Sequence, residues 1–274
     1  MNERWLQHLT ALPGVRALWR RFPVGSVELR SRFGIWERPQ YAYGVLHAAQ
    51  QAKLLGLNGI TAIEFGVAGG NGLLALQSLA RDIGDHLGLR ISVWGFDSGE
   101  GMPQATDYRD LPYVWGEGFY QMEEARLRRL LSPETQLVLG DVRDTIQSLR
   151  NVAEPIGFVA FDLDYYSSTK EALRIFEFPQ STRLPRTYCY FDDVVWPEHA
   201  CHNEWIGELL AIREFNEEHE HLKLAQIHLL RRMRPHAEWW NEQMYVLHDF
   251  THPLYGVNLT RPGEDRELRL TAVA

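Results

Sequence analysis

Apolar residues follow two distinct patterns along this chain, one typical of helices and one typical of buried strands. Near the N-terminus, apolar residues from Trp5 to Leu12 have helical spacing until Pro13-Gly14 interrupts it. A longer helical run, Y-A-Y-G-V-L-H-A-A-Q-Q-A-K-L-L-G-L, ends near Gly56. We therefore expect residues 1–59 to form a helical extension that packs on a core domain or across a homodimer.

Five short apolar runs predict the strands of a sheet that is buried on both faces. In chain order they are I-T-A-I-E-F, I-S-V-W-G-F, Q-L-V-L, I-G-F-V-A-F and T-Y-C-Y-F. Helical stretches separate them, and a later run, Q-M-Y-V-L-H-D-F, predicts one more strand. This alternation is typical of an α/β fold with a mostly parallel central sheet flanked by helices. Residues 60–274 are expected to form one such Rossmann-like domain.

Composition narrows the class of protein. The 274 residues, 45% of them hydrophobic, can form one sizeable core, and the net charge of −8 argues against a nucleic-acid partner. The two cysteines, Cys189 and Cys201, are too few for a disulfide framework and lack metal-site spacing, which favours a cytoplasmic location. We expect no membrane span and no signal peptide, because no apolar run is long enough and the chain starts M-N-E-R-W.

The first predicted strand ends in an acidic residue and a group of glycines, E-F-G-V-A-G-G-N-G. Glycines permit positive φ and close approach of a ligand to the backbone, and the helix-forming run that follows would point its N-terminus at that ligand. A dinucleotide fingerprint reads G-x-G-x-x-G with its acidic residue far downstream. Here Glu64 lies two residues before Gly66, so the spacing favours a different cofactor. A glycine-rich bend that only packs a helix on a strand is the structural alternative.

Acidic residues also end the second and third predicted strands. Asp97 follows I-S-V-W-G-F, where a carboxylate can accept hydrogen bonds from two ribose hydroxyls. Asp141 follows Q-L-V-L-G and is a candidate partner for an adenine amino group. The structural alternatives are a turn Asp before Ser98-Gly99 and a solvated turn at Asp141.

Paired carboxylates end the fourth and fifth predicted strands. Asp162 and Asp164 follow I-G-F-V-A-F, and Asp192 and Asp193 follow T-Y-C-Y-F. In one parallel sheet these four side chains would meet at a single edge and repel one another unless a cation neutralises them. Oxygen ligands favour Mg²⁺ or Ca²⁺ over Zn²⁺. The alternative is that two of them point outward and cap helices.

The segment 101–132 is too long for a plain connection between strands. It contains Y-V-W-G-E-G-F-Y, in which aromatic residues are flanked by glycines. Such a sequence is typical of a movable cover over a site, with Trp115, Phe119 and Tyr120 as the candidates for contact with a ligand.

The glycine motif resembles motif I of class I S-adenosylmethionine (SAM) methyltransferases, E/D-x-G-x-G-x-G, with Ala68 in place of the middle glycine. Together with G-F-D-S-G-E-G-M-P, D-L-D-Y-Y-S-S-T and F-D-D, over roughly residues 60 to 200, it resembles the macrocin O-methyltransferase type. That resemblance implies a class I methyltransferase fold, SAM as methyl donor and Mg²⁺ held by acidic residues after strands four and five. Family members methylate sugar hydroxyls of natural products. By that resemblance Glu64, Gly66 and Asp97 match cofactor positions, and Asp162, Asp164, Asp192 and Asp193 match the metal and base positions. We also expect Ala68, Gly70, Asn71 and Asp141 to contact the cofactor.

Two departures from the family pattern concern the acceptor: Leu163 stands where glycine is common, and Val194 where tyrosine is common. The interpretation is a SAM-dependent O-methyltransferase acting on a small-molecule hydroxyl, with Mg²⁺ lowering the pKa of that hydroxyl and Asp164 taking its proton. The alternatives are an NAD-dependent oxidoreductase and a SAM- or nucleotide-binding module without catalytic activity.

Overall fold

The computed structural model describes residues 3–260. Their strands form a seven-stranded sheet in the order β3-β2-β1-β4-β5-β7-β6. The strand bounds are β1 Gly59–Phe65, β2 Arg90–Asp97, β3 Thr135–Leu139, β4 Ile156–Phe161, β5 Arg183–Phe191, β6 Leu222–Gln226 and β7 Met244–Asp249.

Ten α-helices accompany the strands within this part of the chain, together with several short 3₁₀ turns. The helix bounds are α1 Glu3–Ala11, α2 Val15–Arg21, α3 Val27–Arg32, α4 Pro39–Leu54, α5 Asn71–Leu87, α6 Glu124–Leu130, α7 Val142–Thr145, α8 Tyr166–Leu173, α9 Gly207–Glu218 and α10 Leu230–Met233.

Strands β1 to β5 are parallel, and β7 lies antiparallel between β5 and β6. The prediction of a Rossmann-like, mostly parallel sheet flanked by helices is therefore confirmed. Strand β6 was not predicted, because its sequence, L-K-L-A-Q, is short and alternates apolar with polar residues at the sheet edge. Such a strand lacks the continuous apolar run that marks strands buried on both faces.

Alternate residues of the central strands face two separate apolar layers, as the two-residue period of a strand requires. On β1, Ile60 and Ala62 pack with residues of α4 and α5, whereas Ile63 and Phe65 pack with residues of α8 and α9. Every residue of β1 and β4 is buried. The carboxyl ends of these strands are therefore held rigidly between two helical layers.

The N-terminal helices have two different relations to this core. Helix α4 is largely buried and packs on β1, β4 and β5, so it is part of one of the two helical layers. Helices α1 and α2 contact the segment 235–238: the Gln7 side chain donates to the Pro235 carbonyl at 2.8 Å, and Arg16 pairs with Glu238. The domain boundary at residue 59 stays a prediction, and residues 261–274 of the predicted domain lie outside the described residues.

Within residues 3–260, no helix combines the length and the apolar character that crossing a membrane requires.

The turn from β1 into α5 is fixed by its glycines. Gly66 and Gly70 have φ of 84° and 85°, in the left-handed region that favours glycine, and Ala68 between them has φ of 46°. A Cβ on Gly66 would lie 1.7 Å from the carbonyl oxygen of Asp162, so the turn touches the end of β4 directly.

We expect Gly66→Ala to destabilise the protein by about 3 kcal/mol or more, because the new methyl group clashes with the backbone at Asp162 and the residue keeps a positive φ. Urea unfolding measures this change. Gly69→Ala is the matched control, since a Cβ there has no atom within 4 Å. Equal stabilities of the two variants would contradict the close contact between the turn and β4.

Candidate functional site

A cavity of about 750 Å³ opens at the carboxyl ends of the parallel strands. It lies where the strand order reverses between β1 and β4, the position at which open α/β sheets bind ligands. The residues that line it are Arg38, Phe65, Gly66, Ala68, Phe96, Asp97, Ser98, Glu100, Gly101, Met102, Pro103, Trp115, Tyr120, Gly140, Asp141, Val142, Asp162, Leu163, Asp164, Ser168, Asp192, Asp193, Trp196 and Pro197.

Three carboxylates converge on one side of this cavity. One oxygen each from Asp162, Asp192 and Asp193 lie within 4.8 Å of one another, a spacing that allows all three to contact one cation. Asp162 follows β4 directly, and the other two follow the neighbouring strand β5. The sequence predicted this convergence for four residues, and the structure brings together these three.

Asp164 lines the same cavity but lies outside that group of three. Its backbone N–H donates to Oδ2 of Asp193 at 3.0 Å, and its φ is 60°. A non-glycine residue in the left-handed region is held there by its surroundings. The turn after β4 therefore presents Asp164 beside the three carboxylates without making it one of them.

Glu208 is a further carboxylate next to this group, and the sequence did not reveal it as a site residue. It is fully buried on α9 and accepts hydrogen bonds from the Asp193 backbone N–H at 3.0 Å and the Thr169 hydroxyl at 3.3 Å. The available signal was an acidic residue on the apolar stripe of α9, which also carries Ala211 and Ile212. Glu208 fixes the backbone that carries Asp193.

Burial and mutual repulsion shift the protonation of these acids. Burial, followed by the charges of neighbouring carboxylates, raises the pKa values of Asp162 and Asp193 well above their usual range, and burial likewise raises that of Glu208. Burial and the charge of Asp192 raise the pKa of Asp164 to about 7. A hard divalent cation fits this donor set, because it would neutralise acids that otherwise repel one another.

Asp97, after β2, holds the glycine turn in place. Its Oδ2 accepts from the backbone N–H groups of Val67 at 2.9 Å and Ala68 at 2.8 Å, and its Oδ1 accepts from Gly99 at 2.7 Å. An ionised carboxylate has about four lone-pair sites, so one stays available for a ligand hydroxyl in the cavity. The predicted ribose contact is compatible with this geometry. The contact with Gly99 matches the alternative of a turn Asp, and the contacts with Val67 and Ala68 were not predicted.

Asp141, after β3, lines the cavity and caps the short helix α7. Its carboxylate accepts from the Arg143 backbone N–H at 2.8 Å and from the Arg143 guanidinium at 2.7 Å. The hydrogen bond from the Arg143 guanidinium has the largest effect on the pKa of Asp141, and both hydrogen bonds lower it. The adenine contact predicted for this residue stays a prediction.

Three of the motif positions named as cofactor-binding do not line the cavity: Glu64, Gly70 and Asn71. Glu64 lies beneath the turn, where its Oε1 accepts from the Tyr41 hydroxyl at 2.6 Å and its Oε2 has no partner among the described residues. A Cβ on Gly72 would lie 1.8 Å from Oε1, so the first turn of α5 rests on this carboxylate. Burial raises the pKa of Glu64 to about 8.

The inserted segment covers the cavity. Trp115 and Tyr120 line it, whereas Phe119 does not and is 50% exposed. The buried Asp110 fastens the segment to the core, because its carboxylate accepts from the Thr106 hydroxyl at 2.6 Å and from the Ser167 backbone N–H at 2.8 Å. Asp110 thus accepts a hydrogen bond from the first turn of α8. Neither Asp162 nor Asp164 caps that helix. Movement of this cover stays a prediction.

Comparisons with known proteins give similarities to solved structures only. No model of a protein family matches the chain, and neither does any curated protein. The chain is similar to CalS11, a calicheamicin methyltransferase, with 20% identity over 92% of this chain and 95% of that one and a TM-score of 0.49. It is also similar to the SAM complex of the O-methyltransferase TomG from Streptomyces achromogenes, with 14% identity over 74% and 87% of the two chains and a TM-score of 0.37. Because these values are low, we base the assignment of function on the residues of the cavity.

We expect Glu64→Gln to change how stability depends on pH. The folded protein keeps the Glu64 proton up to a pKa of about 8, whereas the unfolded chain loses it near 4.5, so Glu64 costs stability as the pH rises through this window. Glutamine removes that cost, and the variant should gain roughly 4 to 5 kcal/mol relative to the wild type between the two ends of the window.

Unfolding in urea at several pH values measures this difference. Buried acids that do not interact with Glu64 titrate equally in both proteins and cancel in the comparison, whereas the charge of Glu64 also contributes to the raised pKa of Asp162. A difference that stays constant with pH would contradict a protonated Glu64 beneath the turn.

Proposed function

We propose that this protein is a SAM-dependent O-methyltransferase that requires Mg²⁺ and methylates a hydroxyl of a small molecule such as a sugar or natural-product glycoside. The observation that carries the proposal is the convergence of Asp162, Asp192 and Asp193 beside the glycine turn, in one cavity. Neither the turn alone nor the acids alone would support it, because glycine turns and exposed acids are both common.

The charges of the cavity support SAM over a dinucleotide. Seven carboxylates and one guanidinium line it, so a pyrophosphate would meet strong repulsion unless cations covered it. SAM has no phosphate and carries a positive sulfonium and a positive amino group. The volume of about 750 Å³ lies in the range typical of cofactor sites and leaves space for an acceptor beside SAM.

Mg²⁺ would be held by Asp162, Asp192 and Asp193, whose oxygens suit a hard cation. When bound there, Mg²⁺ would lower the pKa of a hydroxyl that contacts it. Glu208 keeps the Asp193 backbone in position for this role.

Asp164 is our candidate for the general base. It lines the cavity beside the three carboxylates without being one of them, and a carboxylate can accept a proton from a substrate hydroxyl. In the proposed reaction the substrate oxygen bonds to the methyl carbon of SAM, the carbon–sulfur bond breaks, and the hydroxyl proton passes to Asp164. Alignment of the two reactants can supply about 7 to 11 kcal/mol of the barrier reduction.

Aromatic residues supply the surface for the acceptor. Trp115, Tyr120 and Trp196 line the cavity, and Trp196 is 62% exposed, with its ring 6.3 Å from that of Trp239. Burial, followed by the charges of Asp164 and Asp193, raises the pKa of Tyr120. Flat apolar faces of this kind suit the carbon-bound hydrogens of a sugar ring or an aromatic acceptor.

We expect Asp97→Ala to weaken binding of S-adenosylhomocysteine by roughly 1.5 to 3 kcal/mol, because the variant loses the ribose contact and loosens the turn. Titration calorimetry measures the affinity, and thermal unfolding reports the effect on the turn. An unchanged affinity would remove Asp97 from the cofactor site.

We expect chelation of divalent cations to abolish turnover and to spare binding of SAM. Asp192→Asn should do the same, since the amide keeps the shape of the side chain but loses the charge that holds a hard cation. Glu100→Gln is the matched control, because Glu100 lines the cavity outside the group of three. The assay is a SAM-turnover screen across glycosides, nucleotide-linked sugars and catechols, with Mg²⁺ or EDTA.

The outcomes separate the alternatives. Full activity in EDTA would show that the carboxylates are structural. Binding of NADH in place of S-adenosylhomocysteine would favour an oxidoreductase, and SAM binding without turnover of any acceptor would favour a binding module.

A further inference from the structure

Arg38 is a cation whose partner is missing from the protein itself. It immediately precedes α4 and is the one basic residue among the described residues that line the cavity. Its guanidinium lies 5.7 Å from the centroid of the Tyr41 ring, and within residues 3–260 it has no hydrogen-bond or ion-pair partner. A guanidinium has five N–H donors, so a partly buried one without an acceptor points to a ligand.

The surroundings of Arg38 keep it charged. Burial lowers the pKa of Arg38, but its interactions with Tyr41, Glu64 and Asp162 more than offset this, and the net shift is upward. Two of these partners come from β1 and from the end of β4. Arg38 therefore lies on the side of the cavity where the glycine turn meets the three carboxylates.

If the protein binds SAM, as the proposed function requires, the strand order indicates which end of SAM lies near Arg38. Asp141 and Asp97 follow β3 and β2, so an adenosine that contacts them lies over that side of the sheet. The amino-acid end of the same molecule must then extend toward β1 and β4, where Arg38 lies. That end carries the α-carboxylate, which is the one anionic group of SAM.

We propose that Arg38 binds the α-carboxylate of SAM through charged hydrogen bonds from its guanidinium. Arginine and carboxylate match in geometry, and such a pair is stronger than a neutral hydrogen bond. The contact would neutralise the negative charge that SAM brings into a cavity lined by seven carboxylates. Without it, that carboxylate would be repelled by Asp162 and its neighbours.

The competing explanation is that Arg38 serves only as a counter-charge for Glu64 and Asp162. A ligand that lacks the carboxylate separates the two explanations. The probe is 5′-(3-aminopropyl)thioadenosine, which is S-adenosylhomocysteine without its carboxylate and with its amino group kept. Calorimetric titration of wild type, Arg38→Met and Arg38→Lys with both ligands gives the affinities.

We expect Arg38→Met to weaken binding of S-adenosylhomocysteine about 10- to 100-fold and binding of the decarboxylated ligand less than about threefold. Arg38→Lys should recover part of the loss for S-adenosylhomocysteine alone, because it restores the charge without the paired donors. Arg150→Met is the control, since Arg150 also lies over an aromatic ring, 4.2 Å from the centroid of Phe178, but does not line the cavity.

Equal losses for the two ligands, or no loss for either, would overturn the role of Arg38 and leave the methyltransferase proposal standing. If the wild type binds neither ligand, both proposals are wrong. Thermal unfolding of each variant identifies a loss of affinity that comes from misfolding.

Discussion

Hydrogen bonds that continue the parallel ladder past the strand ends are the constraint on which the site depends. The first residues after β1, β4 and β5 are each fixed to the adjacent strand. The backbone N–H of Gly66 donates to the Phe96 carbonyl at 2.9 Å, that of Asp162 to Phe65 at 3.0 Å and that of Asp192 to Phe161 at 3.0 Å. Backbone atoms thus set the spacing of the glycine turn and the carboxylates before any side chain is considered. Only glycine fits at position 66, because that spacing leaves no space for a Cβ.

This rigid edge gathers charge that the fold alone does not neutralise. Burial opposes ionisation of Asp162, Asp193 and Glu208, and their repulsion adds to that cost. Buried acids with strongly shifted pKa values in a cleft are typical of functional sites, where this loss of stability is tolerated. The same acids that destabilise the metal-free fold at high pH would, under the proposed function, provide the affinity for a cation.

The sequence predicted the parts of the site that follow strand ends, because strand runs and their terminal acids are local signals. Asp162, Asp192 and Asp193 could be placed together from the rule that parallel strands share a carboxyl edge. Glu208, Asp110 and Arg38 could not, since α9, the insert and the start of α4 reach the site only through tertiary packing. For Glu64 the sequence was informative in a different way. Its place in the motif is recognisable, but its location beneath the turn depends on contacts with Tyr41 and Gly72.

Asp97 makes both a local contact, with Gly99 two residues later, and a tertiary contact, with the glycine turn after β1. Its carboxylate accepts from the Val67 and Ala68 backbone N–H groups of the glycine turn and from that of Gly99 after its own strand, so the protein itself holds the turn in place. The buried Glu64 supports the same turn from below. Two carboxylates on opposite sides of one turn leave few backbone donors for an anionic ligand. Under the proposed function, such a site would disfavour phosphates and would leave recognition of the SAM carboxylate to a side chain from elsewhere in the fold.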